Sequence, residues 1–263
     1  MSKKYFVKYL CTFLMLLIIT GCRKEYENNV NVLAIEPQAN MISVPDVYAE
    51  RSIDAAGGLE NWGRIKQLEF DCLVTYYQSD VSFYLTEQHY DIYPWSNSIQ
   101  ISGSESQGDY TWQLHNGQFD ILKGNYKIPT LANKCFADAV LSIISVPASF
   151  LDNSVYFTRG SAPIYLRGQL FYPIIRQSEN IEENSVLMPN TVFYQDENNS
   201  LVDMIWFACQ NEDSFFMVRG YDYIKIKNGE VLIPSRIEIF KTDDKGLSQI
   251  KLVKIDVNSA KNI

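Results

Sequence analysis

From residue 68 onward the chain alternates apolar and polar positions with the two-residue period of a β-strand, in short runs bounded by turn residues. Strands are predicted over 68–77, 81–93, 98–102, 110–115 and 119–122, with Asn116-Gly117 forming a type I′ hairpin turn before the last of these. A second series covers 164–170, 191–195, 201–209, 215–226, 231–240 and 249–257. Its turns fall at Glu197-Asn198-Asn199-Ser200, Asn211-Glu212-Asp213, Asn228-Gly229 and Asp243-Asp244-Lys245-Gly246. Between the two series, over 131–151, Phe136, Ala139, Val140, Ile143 and Ile144 fall at helical spacing, and Pro147 should kink or end that helix. An earlier helix is predicted after Asp46, a capping residue, with Val47, Tyr48, Ala49, Ile53, Ala55 and Ala56 inside it and Gly57-Gly58 stopping it. The fold class read from this pattern is mainly β (α+β): a strongly curved antiparallel sheet with helices covering its concave face, where the apolar helix stripe has a place to be buried.

Several strands are apolar on more than one face. Tyr110, Trp112 and Leu114 share a face, as do Phe83 and Leu85; Ile205 and Phe207 share another, with Val202, Met204 and Trp206 opposite them, and Phe215 and Met217 add a further pair. An antiparallel sheet with one side in water does not need this surplus, so a second layer or a ligand should cover it. With Phe136, Val140, Ile143 and Ile144 from the helix, these residues form the candidate ligand-binding set: Phe83, Leu85, Tyr110, Trp112, Leu114, Phe136, Val140, Ile143, Ile144, Ile205, Phe207, Phe215 and Met217. Two readings of the set stay open, a core filled by the helix and a cavity lidded by it.

The N-terminus is basic, with Lys3, Lys4 and Lys8, and leads into an apolar run over 9–19 that is short for a bilayer span and has the length of a signal-peptide core. It ends in Ile19-Thr20-Gly21-Cys22, which resembles the lipobox of bacterial lipoproteins. The resemblance implies a signal peptide over 1–21, cleavage before Cys22 and acylation of its thiol, palmitate included, so that two or three chains hold the protein to a membrane. Arg23, rather than aspartate, follows Cys22, which implies the outer membrane of a Gram-negative cell, with the periplasmic or cell-surface leaflet left open. Residues 22–45 read as a polar tether containing Pro37 and Pro45, 46–258 as one domain and 259–263 as a C-terminal tail. Losing the three lysines would take the formal net charge from -8 to -11, a poor match for nucleic acid. Cys72, Cys135 and Cys209 are far apart and include no CxxC, so no zinc site is expected and at most one disulfide, of undetermined pairing, can form.

The run Ala55-Ala56-Gly57-Gly58-Leu59-Glu60-Asn61-Trp62, followed by Ile65-Lys66-Gln67-Leu68 and a strand, resembles the opening of the LolA/LolB-like superfamily of outer-membrane lipoprotein-sorting proteins. Leu201-Val202-Asp203-Met204-Ile205, Tyr221-Asp222-Tyr223 and 228–236, with a G-x-x-x-P-x-R-like element, are similar to that family's C-terminal strands. The resemblance spans about residues 46–258 and implies an incomplete β-barrel whose helix-lidded hydrophobic cavity holds acyl chains or another apolar ligand.

Catalytic and cofactor chemistry has no signature in the chain. His89 and His115 stand alone on strand-like runs, residues 103–108 fail the G-x-S-x-G spacing of a nucleophile elbow, and no glycine-rich phosphate loop, metal-ligand set or other cofactor motif occurs. The reading is of a non-enzymatic, membrane-anchored lipoprotein that binds a lipid or lipoprotein acyl chain in a helix-lidded β cavity and serves lipoprotein or lipid trafficking. The alternatives are a cell-envelope interaction protein with a filled core and an envelope hydrolase whose catalytic residues match no familiar motif; the natural ligand and any protein partner are undetermined.

Overall fold

The computed structural model describes residues 47–263 except 81, 152–154, 160–162, 167, 179–190, 210–213, 244, 245, 247 and 248. Cys22, the segments over 1–21 and 22–45, and the capping Asp46 lie outside the described residues.

Two helices open the described chain, α1 (Val47–Ala55) and α2 (Leu59–Gly63). Gly57 and Gly58 separate them at φ 119° and 85°, backbone angles that favour glycine. Gly57 is also pressed against another segment: a Cβ there would lie 2.6 Å from the Glu230 carbonyl oxygen and 2.8 Å from Val231 Cα. The Leu232 amide donates to the Ala56 carbonyl at 2.8 Å, so the helix stop is fastened to a turn late in the sequence.

Five strands follow in hairpin succession, β1 (Leu68–Tyr77), β2 (Phe83–Tyr93), β3 (Ser98–Glu105), β4 (Gly108–His115) and β5 (Gln118–Lys123). The β4–β5 turn has Asn116 at φ 47° and Gly117 at φ 75°, the two positive angles of the expected type I′ turn. After helices α3 (Asn133–Ile144) and α4 (Val146–Phe150) come β6 (Val155–Arg159), β7 (Ile164–Leu166), β8 (Gln169–Ser178), β9 (Val192–Asp196), β10 (Val202–Ala208), β11 (Phe215–Lys225), β12 (Leu232–Thr242) and β13 (Gln249–Asn262).

All pair antiparallel in one sheet of order β5-β4-β3-β2-β1-β13-β12-β11-β10-β9-β8-β6, with β7 beside β8. The first and last strands meet at its centre, from Leu68 opposite Asn262 to Tyr76 opposite Val253. The ends of the path, β5 and β6, are not paired with each other, so the described sheet is curved but not closed into a barrel. The α3–α4 segment is the connection between these two ends. Helix α3 packs on β3 and β4 from one half of the sheet and on β10, β11 and β12 from the other, which requires the sheet to curl around it.

Expected boundaries differ in several places: β3 runs on to Glu105, β8 runs on to Ser178 and β6 was not expected. The run at 164–170 is two strands, because Gly168 at φ 87° turns the chain from β7 into β8. The supposed tail over 259–263 is mostly strand: β13 continues to Asn262, and Ser259 donates to the Asp71 carboxylate at 2.7 Å.

Candidate functional site

Helix α3 fills the concave face. Eight of its twelve residues are buried, among them Phe136, Val140, Ile143 and Ile144, so the buried surface extends well beyond the predicted stripe. A helix apolar around most of its circumference belongs inside a fold. Its N-terminal end is held by the Asn133 side chain, which accepts from the Ile128 amide and donates to the Tyr126 carbonyl, both at 2.9 Å. It is held again by a disulfide between Cys135 and Cys209, whose Cα atoms are 6.0 Å apart; Cys72 is a free, buried thiol. At the other end Ser145 breaks the helix and Pro147 falls in the first turn of α4, where its missing N–H costs no hydrogen bond.

One side of α3 meets an aromatic wall. Tyr110, Trp112 and Leu114 of β4 are buried, and Tyr126, from the loop after β5, lies 4.7 Å from the Tyr110 ring and 5.7 Å from the Trp112 ring. The buried Gln88 amide donates to the hydroxyls of Tyr76 at 2.9 Å and Tyr110 at 2.7 Å, and accepts from Tyr90 at 2.7 Å. Burial pushes the Tyr110 hydroxyl up to about 12 and holds Tyr76 and Tyr90 well above the ordinary tyrosine value, so all three hydroxyls stay protonated and neutral at physiological pH.

The opposite end of α3 leaves a crevice of about 20 Å³, lined by Ile143, Ile144 and Pro147 from the helices, Ser52 from α1, Ala56 just after it, Leu201 just before β10, and Val202, Tyr223 and Pro234 from the sheet. Helix α1 is pinned over this end, since Gln195 Nε2 donates to Ser52 Oγ at 2.7 Å and Ser52 Oγ to the Ser200 carbonyl at 2.8 Å. The crevice is an order of magnitude smaller than the roughly 300 Å³ at which small-molecule pockets begin.

The predicted ligand set is divided by the sheet. Ile205 and Phe207 join Tyr110, Trp112, Leu114 and the four helix residues in the core under α3. Phe83 and Leu85 do not: β2 turns Thr86, Gln88 and Tyr90 inward, so they lie outside with relative exposures of 60% and 52%. Phe215 and Met217 are also on the outer face. Met217 packs with Met204, Phe171 and Phe240 in a second cluster, and Phe215 stacks on Trp206 at 5.1 Å. Val202 moves the other way, into the core, because the β9–β10 register slips between Val202 and Met204. The apolar surplus on β10 and β11 is therefore met by two protein clusters on opposite faces.

Sequence reading missed the polar groups around Arg219 and Asp203, which are 7% and 8% exposed. They line a pocket of about 360 Å³ with Gln169, Asn199, Leu201 and Tyr223. Arg219 donates to Gln169 Oε1 at 2.8 Å. Burial, reinforced by the Asp196 charge and opposed by Arg219, pushes the Asp203 carboxyl up to about 7. The only sequence signal was the polar Asp203 inside an otherwise apolar run.

On the outer face of β1–β3, Asp71, His89 and Ser102 lie in cross-strand register beside a polar trough of about 670 Å³. His89 Nδ1 is 2.8 Å from Asp71 Oδ1, while Nε2 faces Asp91 Oδ1 at 3.6 Å rather than bonding Ser102. Burial works against the imidazolium, yet the Asp71 hydrogen bond and the Asp91 and Glu69 charges outweigh it and raise the His89 pKa. The two carboxylates favour the protonated imidazole, and neither ring nitrogen bonds the Ser102 hydroxyl, so the three residues do not form a nucleophile–base pair. Among the described residues, no group of three or more His, Cys, Asp or Glu side chains is placed to hold a metal ion, and no helix is long and apolar enough to cross a membrane.

No family model matches the sequence, and no curated protein matches it by sequence. Among solved structures, the chain is similar to a LolA superfamily protein from Nitrosomonas europaea, with a TM-score of 0.53 and 9% identity over 84% of this chain and 94% of that one. It also aligns with a putative outer membrane lipoprotein-sorting protein domain from Vibrio parahaemolyticus, with a TM-score of 0.44 and 10% identity over 81% of this chain and 93% of that one. The fold is LolA-like.

Proposed function

We propose that this chain, a LolA-like curved sheet, is a membrane-anchored lipoprotein of the cell envelope that binds a lipid or lipoprotein acyl chain beneath α3 and works in lipid or lipoprotein trafficking. The observation that carries the reading is the position of α3–α4: the segment joins the two unpaired ends of the sheet and occupies the place where a ligand would lie. Its apolar residues and those of β4 and β10 form one continuous apolar core that either packs on itself or, with α3 displaced, accepts an alkyl chain. The Cys135–Cys209 disulfide supports an oxidising compartment outside the cytoplasm. Anchoring through acylated Cys22 and residence in the outer membrane rest on the lipobox-like N-terminus and Arg23. The reading is of a binder rather than an enzyme, with no cofactor.

The crevice of about 20 Å³ makes the described state a closed one, and it gives weight to a second reading, a cell-envelope interaction protein whose core is permanently filled. Uptake of a fluorescent fatty acid by the gently delipidated full-length protein separates the two. Saturable uptake is expected, and its absence after delipidation would favour the filled core.

A further inference from the structure

Building on the proposed membrane anchor, we infer that the outer face of the β1–β2 hairpin, carrying Phe83, Leu85 and Tyr77, docks on the surface of the bilayer to which the chain is tethered and sets the orientation of the domain there. The docking is apolar rather than electrostatic.

Phe83 and Leu85 are both more than half exposed and stand on one face of β2, and the Tyr77 ring lies 6.5 Å from that of Phe83 across the hairpin. Single apolar side chains scattered over a surface are ordinary; adjacent ones on a strand whose polar residues are turned inward are not. Register does not require them. The Gln88 hub fixes which positions of β2 face outward, but it leaves the side chains there free to be polar, as Glu87 is. The tip also projects beyond its neighbour, because β3 pairs with β2 only from Gln88 to Tyr93. Tyr84, between the two apolar residues, turns inward to bond Tyr126, whose carbonyl accepts from Asn133 at the start of α3. The face therefore lies at the disulfide-pinned end of that helix.

A lipid surface fits this face. Phe, Leu and Tyr beside lysines whose stems can lie along apolar surface is the composition that settles at a membrane interface. Lys251 lies 5.9 Å from the Tyr77 ring and bonds Glu238, and Lys254 bonds Asp256 at 2.8 Å, so both cations are already paired within the sheet. The net charge of -8 opposes an anionic surface, which leaves apolar contact to hold the face down. Reach is not limiting. Twenty-four residues separate Cys22 from Val47, a span of at most roughly 80 Å at full extension, against roughly 48 Å for the whole length of β13. A domain held that close meets the bilayer at high effective concentration, so a small apolar patch suffices.

The test uses the full-length, acylated protein in phosphatidylcholine vesicles, with a nitroxide on Leu85→Cys or, as a reference near the β11–β12 turn, on Ile224→Cys. Cys72 is buried and Cys135 and Cys209 are bonded to each other, so the introduced thiol takes the label. On the vesicles the Leu85 nitroxide should lose collisions with a water-soluble nickel chelate and gain collisions with oxygen, and the Ile224 nitroxide should change in neither. The shift should survive added salt, because no charge carries it. Adding Phe83→Asp should return the Leu85 label to water while the protein still floats with the vesicles. Flotation with a Leu85 label as open to nickel as the Ile224 one would overturn the docked face and leave the anchor standing. Spin–spin broadening between Leu85 labels, in place of the oxygen gain, would assign the face to a second copy of the chain and overturn the docking as well. A protein that neither floats nor shields Leu85 would remove both readings.

Discussion

Cys135 in the first turn of α3 is disulfide-bonded to Cys209 just after β10, a covalent tie across 74 residues of chain. Any movement of α3 away from the sheet is therefore pinned at its N-terminal end and must pivot there, and the Ser145–Pro147 end, which α1 covers, is the end free of a covalent tie. The crevice lies at that free end.

Removing the tie should cost stability, because the bridge restricts the unfolded chain over a long loop. The Cys135→Ser/Cys209→Ser protein is expected to lose roughly 2 to 5 kcal/mol in denaturant unfolding. It should also take up a fatty-acid probe faster. An unchanged unfolding midpoint would show that the bridge constrains nothing that matters.

Gly57 and Gly58 give a controlled comparison. Both have positive φ, but a Cβ at Gly57 would collide with backbone of Glu230 and Val231, while at Gly58 nothing lies within 4 Å. Gly58→Ala should cost about 1 to 3 kcal/mol from the backbone alone, because φ 85° with ψ 155° is a conformation essentially reserved for glycine. Gly57→Ala adds overpacking against atoms that cannot rotate away, about 1 to 3 kcal/mol more. Equal losses in thermal melts would refute the contact between the helix stop and the β11–β12 turn.

That contact also explains why much of the fold was legible in the sequence. Gly57-Gly58 and Asn116-Gly117 have one backbone role each, and the helical spacing of Phe136, Val140, Ile143 and Ile144 has one structural interpretation. Facing was harder to read. On β2 an apolar pair, Phe83 and Leu85, points outward while Thr86 and Gln88 point inward, because Gln88 satisfies three tyrosine hydroxyls in the core. On β10 a single register slip reverses Val202 relative to Met204, and period-two counting has no means of detecting it. The expected strand over 164–170 stops short of the end of β8 at Ser178, and Pro173 lies inside β8, opposite Tyr194. The Arg219–Asp203 pocket joins residues from separate strands, and no local pattern announces such a meeting.

Asp203 should make stability depend on pH in a defined direction. Its folded pKa, about 7, is raised above the ordinary aspartate value, so the folded state holds the proton more tightly than the unfolded one. The stabilisation linked to that proton is complete below the unfolded-state value and is lost as pH rises through about 7. Asp203→Asn removes this dependence. The melting temperature of the variant relative to wild type should therefore climb as pH is raised through that window, and a flat difference would contradict the burial of the carboxyl.

For the anchor, Cys22→Ala should leave the protein unprocessed and without diacylglycerol, because the thiol is the only acyl acceptor the lipobox-like sequence provides. Radiolabelled palmitate still entering the variant would sink the assignment. Recovery of the wild-type protein chiefly with inner membranes would count against the outer-membrane placement.

Ile143 separates a lid from a plug. It is 3% exposed and lines the crevice at the free end of α3. If the helix is a permanent plug, Ile143→Ala removes buried methylenes from a packed core and should cost roughly 2 to 5 kcal/mol, with no effect of added lipid. If the helix lifts to admit an acyl chain, the same truncation should cost less and change probe affinity, because the side chain already exchanges partners during opening. Ile143→Glu sharpens the distinction. A carboxylate facing an alkyl chain carries a large desolvation penalty, so probe binding should vanish while the far-ultraviolet spectrum stays β-rich. A folded Ile143→Glu protein that binds the probe as well as wild type would refute the lid, since no acyl chain lying beneath α3 could avoid that residue.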